Sequence, residues 1–176
     1  MKRKRKLVIF LIAVLVIIVT ITSLYLVERK KCYVEPTEIL LSTSSGDTYS
    51  YRFYSITKDK VVYYDFTDYN LQHDYNFNYF TNPLPTDGDF VKEEYAVKDG
   101  DWEKVLKSLQ NNLFIDYPHT VGPVVMDGGY TSISVITKDN QYSSSAYIYN
   151  RRGFGLKYKG FCRVADSLYD LINDAK

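Results

Sequence analysis

Among the side chains able to do chemistry, His73 stands beside Asp74 and within a few residues of Asp65 and Asp68. An imidazole with an orienting carboxylate can serve as a general base, or as one ligand of a metal. The surrounding DYNLQHDYNFNYFTN is rich in Tyr and Asn, so a solvated or structural histidine is the simpler reading. His119 follows Pro118 and reads as a loop residue. Glycan hydrolysis needs two carboxylates facing across a cleft. Glu93 and Glu94 are neighbours in an expected strand and point to opposite faces. Asp87 and Asp89 flank Gly88 in a loop, far short of the spaced oxygen ligands of a calcium loop. The sequence holds no Gly-x-Ser-x-Gly elbow, His-Glu-x-x-His, Cys-x-x-Cys or phosphate-cradling Gly-x-x-x-x-Gly-Lys. No cofactor and no metal are expected, and a cell-wall-directed hydrolase using His73 and nearby carboxylates is the alternative to a binding function.

Binding chemistry is better represented. Residues 150–160, NRRGFGLKYKG, bring Arg151, Arg152, Lys157 and Lys159 together with the aromatics Phe154 and Tyr158 and three glycines. Read as a loop, this segment suits a polyanion, with cations on phosphate and rings on an apolar neighbour; a solvated loop is the plainer reading. Tyrosine is over-used, and seventeen of the eighteen lie beyond residue 31. Stripes of Tyr in strands usually pack. An exposed set around Tyr63, Tyr64, Tyr69, Tyr75 and Tyr79 would also stack on sugars or anchor a protein, because Tyr offers area at low entropic cost. Cys32 and Cys162 could close a long loop as a disulfide. Cys32 stands only five residues beyond the apolar run described next, and we read both as free thiols.

The elements that would carry these groups fall into two unlike parts. Met1 to Lys31 holds eight Lys/Arg against one acid, whereas the remainder holds fourteen against twenty, so a near-neutral total of +1 conceals a leader of +7 and a body of −6. Lys2-Arg3-Lys4-Arg5-Lys6 precedes 21 uncharged residues, Leu7 to Val27. As a helix that run extends about 31 Å, the thickness of a hydrocarbon core. A lone apolar segment in lipid must be helical to pair its own backbone groups. The heavier positive flank places the N-terminus in the cytoplasm and the body outside. A cleavable signal peptide would have a shorter apolar core and a small-x-small site, and Thr20-Ile21-Thr22 is a poor version of one. The expected organisation is a basic cytoplasmic tail at 1–6, a transmembrane helix at 7–27, a linker at 28–37 and an extracytoplasmic domain at 38–176.

Within that domain the residue patterns predict strands at Glu38 to Thr43, Thr48 to Thr57, Val61 to Thr67 and Phe90 to Val97, with residues 68–82 open between strand and loop. Trp102, Val105, Leu106, Leu109 and Leu113 recur at helical spacing behind Asp101, which reads as an N-cap. Tyr130 to Thr137 and Gln141 to Tyr149 form a hairpin through Lys138-Asp139-Asn140. Gly160 opens a last amphipathic helix with Phe161, Val164, Ala165, Leu168, Leu171 and Ile172 on one stripe. Antiparallel strands with two amphipathic helices predict an α+β domain, the helices covering one face of a sheet.

From Asp127-Gly128-Gly129-Tyr130 onward, the strand bearing Ile133 and Val135, the Lys138-Asp139-Asn140 turn and the closing helix with Phe161, Leu168, Leu171 and Ile172 resemble the C-terminal part of small membrane-anchored or lipoprotein domains of Gram-positive bacteria. Asn140 stands where those domains usually have Gly, and residues 151–159 are a basic insertion. The resemblance implies an extracytoplasmic α+β domain and brings no catalytic residue. The expected function is a membrane-anchored binding or interaction module. Its partners are the bilayer, through residues 7–27, and a polyanion, glycan or protein of the cell envelope, but not nucleic acid.

Overall fold

The computed structural model describes residues 2–44, 51–65, 91–122, 129–147 and 155–176. Helix α1 (Lys2–Lys31) contains the whole apolar run and extends beyond it at both ends, so residues 28–31 are a further turn of helix rather than linker. The most apolar 18-residue stretch within its segment Ile9–Lys31 has a mean hydropathy of 2.9, and none of that stretch is buried. Such a surface is costly in water and at home in lipid.

Six antiparallel strands follow: β1 (Glu38–Ser44), β2 (Tyr51–Ile56), β3 (Lys60–Asp65), β4 (Val91–Ala96), β5 (Tyr130–Ile136) and β6 (Gln141–Tyr147). They form one sheet in the order β4-β3-β2-β1-β5-β6. Helix α2 (Asp101–Asn111) lies between β4 and β5 in the chain, and α3 (Leu156–Ala175) closes it. The fold is therefore α+β, with a candidate membrane helix in front.

Register sorts the side chains. Leu41 pairs with Tyr54 and Ile133, and Ile39 with Ile56 and Val135, so these residues share one face. Against it pack Trp102, Val105 and Leu109 of α2 and Phe161, Val164, Ala165, Leu168, Leu171 and Ile172 of α3, all buried in one core. A fully buried Leu or Ile contributes about 1.5–3 kcal/mol relative to an exposed one, so this layer dominates the stability of the body. The opposite face carries Leu40, Phe53 and Val62, all buried, and on β5 and β6 a block of serines. There the Ser134 and Ser143 hydroxyls bond at 2.8 Å, and Ser55 bonds Glu38.

Two expectations are corrected. Asp101 does not cap α2: the N-cap is Gly100 at φ 86°, and Asp101 is the first helical residue, buried and paired with Lys104 Nζ at 2.6 Å. Leu113 leaves the helical stripe, because α2 ends at Asn111 and Leu113 adopts φ 54°. The chain then makes a short 3-10 turn at Phe114–Asp116, which buries Phe114.

Candidate functional site

The described residues converge at one end of the body, where α1 stops, α2 ends and α3 begins. The Tyr25 hydroxyl donates to the Asn111 carbonyl at 2.8 Å. That carbonyl lies in the last turn of α2, where backbone acceptors lack partners within the helix. About two turns beyond Tyr25, α1 ends and Cys32 buries its thiol against the 3-10 turn, donating to Asp116 Oδ2 at 3.1 Å. Lys157 Nζ, from the first turn of α3, donates to the Asp116 carbonyl at 3.0 Å and lies 5.9 Å from the centre of the Tyr117 ring. Asp116 thus ties the end of α1 to the start of α3.

Between these contacts lies a cleft of about 430 Å³. Tyr25, Leu113, Tyr117 and Leu156 supply its apolar wall, and Lys157, Arg163 and Asp116 its charged groups. Its floor is set by Gly160: a side chain there would run into the Tyr117 hydroxyl and reach within 3.3 Å of Asn112 Cβ. A glycine inside a helix costs about 1 kcal/mol against alanine, and here it makes room for a tyrosine. Burial pushes the Tyr117 hydroxyl up to about 12 despite the nearby Arg163 cation, which acts the other way. Burial, and then donation to Asp116, push the Cys32 thiol up to about 12. Both groups are held neutral, so the ionic character of the cleft comes from Lys157, Arg163 and Asp116.

The expected binding segment is divided by the structure. Helix α3 begins at Leu156, not at Gly160, so Lys157, Tyr158 and Lys159 are helical. Lys157 and Lys159 are exposed. Tyr158 is 2% exposed, and its hydroxyl donates to the Tyr147 carbonyl at 3.1 Å. Its ring packs over Gly122, which sits at φ 82°. Tyr158 is therefore a core residue and presents no surface to a ligand. Arg151, Arg152 and Phe154 lie outside the described residues.

The tyrosine set is also divided. Tyr63 stacks on Tyr54 with centres 5.1 Å apart, on the face that α3 covers. Tyr64 meets Phe53 edge-on at 5.9 Å on the opposite face, where burial, and then the carboxylates of Glu38 and Glu94, raise its hydroxyl. Adjacent strand residues cannot share one ladder, so Tyr63 and Tyr64 do not form a common surface. Tyr69, Tyr75 and Tyr79, like His73, Asp87 and Asp89, lie outside the described residues. Glu93 and Glu94 are both exposed and pair with Tyr63 and Val62 respectively, hence on opposite faces. The His119 carbonyl accepts from the backbone N–H and the hydroxyl of Ser145, holding residues 119–121 along the edge of β6. Cys32 and Cys162 are both buried and are not joined in a disulfide. Among the described residues no group of three His, Cys, Asp or Glu side chains is placed to hold a metal.

The cleft has no counterpart among the sequence expectations. Leu156 is the signal that could have found it, a large apolar residue among Arg, Lys and Gly; it is 89% exposed. Compared with known proteins, the chain matches no family model and no curated protein sequence.

Proposed function

We propose that this chain is a single-pass membrane protein, with its N-terminus in the cytoplasm and its α+β body on the outer side, and that the body is a binding module working at the membrane surface of the cell envelope. The observation that carries this reading is the docking of the body on α1. Tyr25 belongs to the apolar run, yet it bonds the end of α2 and lines the cleft. A site built partly from the anchor stands at the depth of the lipid boundary, where ligands of the envelope are concentrated. The charge of the flanks supports the orientation: five cations precede the run, and Glu28-Arg29-Lys30-Lys31 follow it. The composition of the cleft supports binding, since convergent polar groups on an apolar wall fix a ligand's orientation.

The test uses the full chain in intact cells. Cysteine placed at Lys138, in the exposed β5–β6 turn, is expected to react with a membrane-impermeant maleimide, and cysteine at Lys4 is expected to react only after lysis. A photo-crosslinking residue at Leu156 is expected to capture an envelope component, lipid, glycan or protein, that the same residue at Lys138 does not. Labelling at Lys4 in intact cells, or identical capture from both positions, refutes the reading.

A further inference from the structure

The depth of the cleft narrows the ligand. A hydrocarbon core of about 30 Å takes about twenty helical residues, and Leu7 to Val27 fill it with 21. Tyr25 then stands in the last turn before the outer boundary, where aromatic residues with one wet end concentrate. Because the Tyr25 hydroxyl reaches the Asn111 carbonyl, the end of α2 and the cleft beside it lie at headgroup level. Leu156 is turned outward at 89% exposure, against 53% for Tyr33, the other large apolar residue exposed beyond α1 among the described residues. An outward leucine at this depth faces lipid rather than water.

The charges select a headgroup. Lys157 and Arg163 line the cleft against the single carboxylate of Asp116, and one oxygen of that carboxylate already accepts the Cys32 thiol. Arg29, Lys30 and Lys31 end the adjacent helix. Lys31 pairs with Glu28 at 2.7 Å, and the remaining cations gather where the basic leader meets a body whose net charge is −6. An ammonium keeps three donors; Lys157 spends one on the Asp116 carbonyl and has others for phosphate oxygens. A choline headgroup would need an open ring face, and Lys157 already lies over Tyr117.

Resting on the anchored reading above, we propose that the cleft between Tyr25, Leu156 and Arg163 seats one anionic phospholipid of the surrounding leaflet. Lys157 and Arg163 hold its phosphate, while Leu113, Tyr117 and Leu156 receive the first methylenes of a chain whose remainder stays in the bilayer. The volume of about 430 Å³ suits a headgroup and the glycerol beneath it, not a whole lipid.

The experiment reconstitutes the full chain in nanodiscs of phosphatidylglycerol or phosphatidylcholine doped with the corresponding photoactivatable phospholipid, and maps labelled peptides by mass spectrometry. In phosphatidylglycerol the peptides covering residues 111–117 and 156–163 are expected to be labelled. The double variant Lys157→Gln/Arg163→Gln should lower that labelling roughly twenty-five-fold, as expected for the loss of two cations each worth about a factor of five at an anionic surface. Leu156→Gln, at a position too exposed to affect folding, should lower it while leaving the melting temperature unchanged. Equal labelling in the two lipids, or labelling insensitive to both variants, overturns the proposal even where α1 is labelled and the anchor therefore stands. Absence of label on α1 removes both readings. A protein occupying the cleft and excluding the lipid also overturns it.

Discussion

The Tyr25 hydroxyl and the Asn111 carbonyl, 2.8 Å apart, join the apolar helix to the body at a point inside the membrane-length run. A body hanging from a free tether would make no such contact. Removing the hydroxyl by Tyr25→Phe deletes one hydrogen bond, worth about 0.5–1.5 kcal/mol, and leaves the ring in place. The expected result is faster amide exchange in residues 111–117, by a factor of about five, with β1 and β5 unchanged. Exchange equal to that of the parent would show that the contact contributes nothing to holding the body down.

Gly160 and Tyr117 should be coupled. Alanine at 160 gains helix propensity and loses space, since its Cβ would overlap the Tyr117 hydroxyl. Overpacking costs about 1–3 kcal/mol and outweighs a propensity gain of about 1 kcal/mol. Gly160→Ala is therefore expected to destabilise the body, and to do so less by about 1 kcal/mol when Tyr117→Phe has removed the oxygen. Denaturant midpoints of the four proteins give the coupling directly. Additive effects would mean that the two residues do not meet.

The start of α2 separates two kinds of helix ending. With Gly100 at φ 86° as the cap and Asp101 paired to Lys104 instead, Gly100→Ala places an L-residue in the left-handed region at a cost of about 1–2 kcal/mol. Lys104 is exposed, so solvent screens its ion pair with Asp101 and the pair adds little. Lys104→Ala should accordingly lower the melting temperature by less than Gly100→Ala does. The reverse order would mean that the Asp101–Lys104 pair, and not the left-handed Gly100, holds this end of α2.

How far the sequence could be read follows from where the determining contacts lie. The stripe of α2 and the alternation of Ile133 with Val135 are local patterns, and both elements formed where the patterns lay. The end of α2 is not local. Leu113 continues the apolar period, but the chain turns at φ 54° to bury Phe114 against Phe161, 6.3 Å away between ring centres. Gly160 reads as a boundary in sequence because glycine is a poor helix former; the tyrosine that requires it lies more than forty positions earlier. Tyr158 reads as a loop residue only if the helix opens at Gly160; it stands three residues before Phe161 and seven before Ala165, and in the structure it extends their stripe by one turn. The cleft has no motif at all, being assembled from α1, the end of α2 and the start of α3.

Cys32 offers a test by pH. Its thiol is raised from an ordinary 9.0 to about 12, first by burial and then by donation to Asp116. A folded value above the unfolded one means that the folded chain retains a proton the unfolded chain has lost. The contribution is complete below pH 9, and stability declines as pH rises towards about 12. The thiolate is the reactive form, so at pH 8 the thiolate fraction of Cys32 should be about a thousand-fold below that of an ordinary thiol. Iodoacetamide labelling of the folded full chain, followed by mass spectrometry of the peptide containing Cys32, is expected to be negligible at pH 8 and complete in denaturant. Asp116→Asn keeps an acceptor for the thiol and removes the carboxylate charge, so it should increase labelling at pH 8 while leaving most of the protection that burial provides. Rapid labelling of the parent at pH 8 would mean that Cys32 is open to solvent, and that α1 does not end against the 3-10 turn.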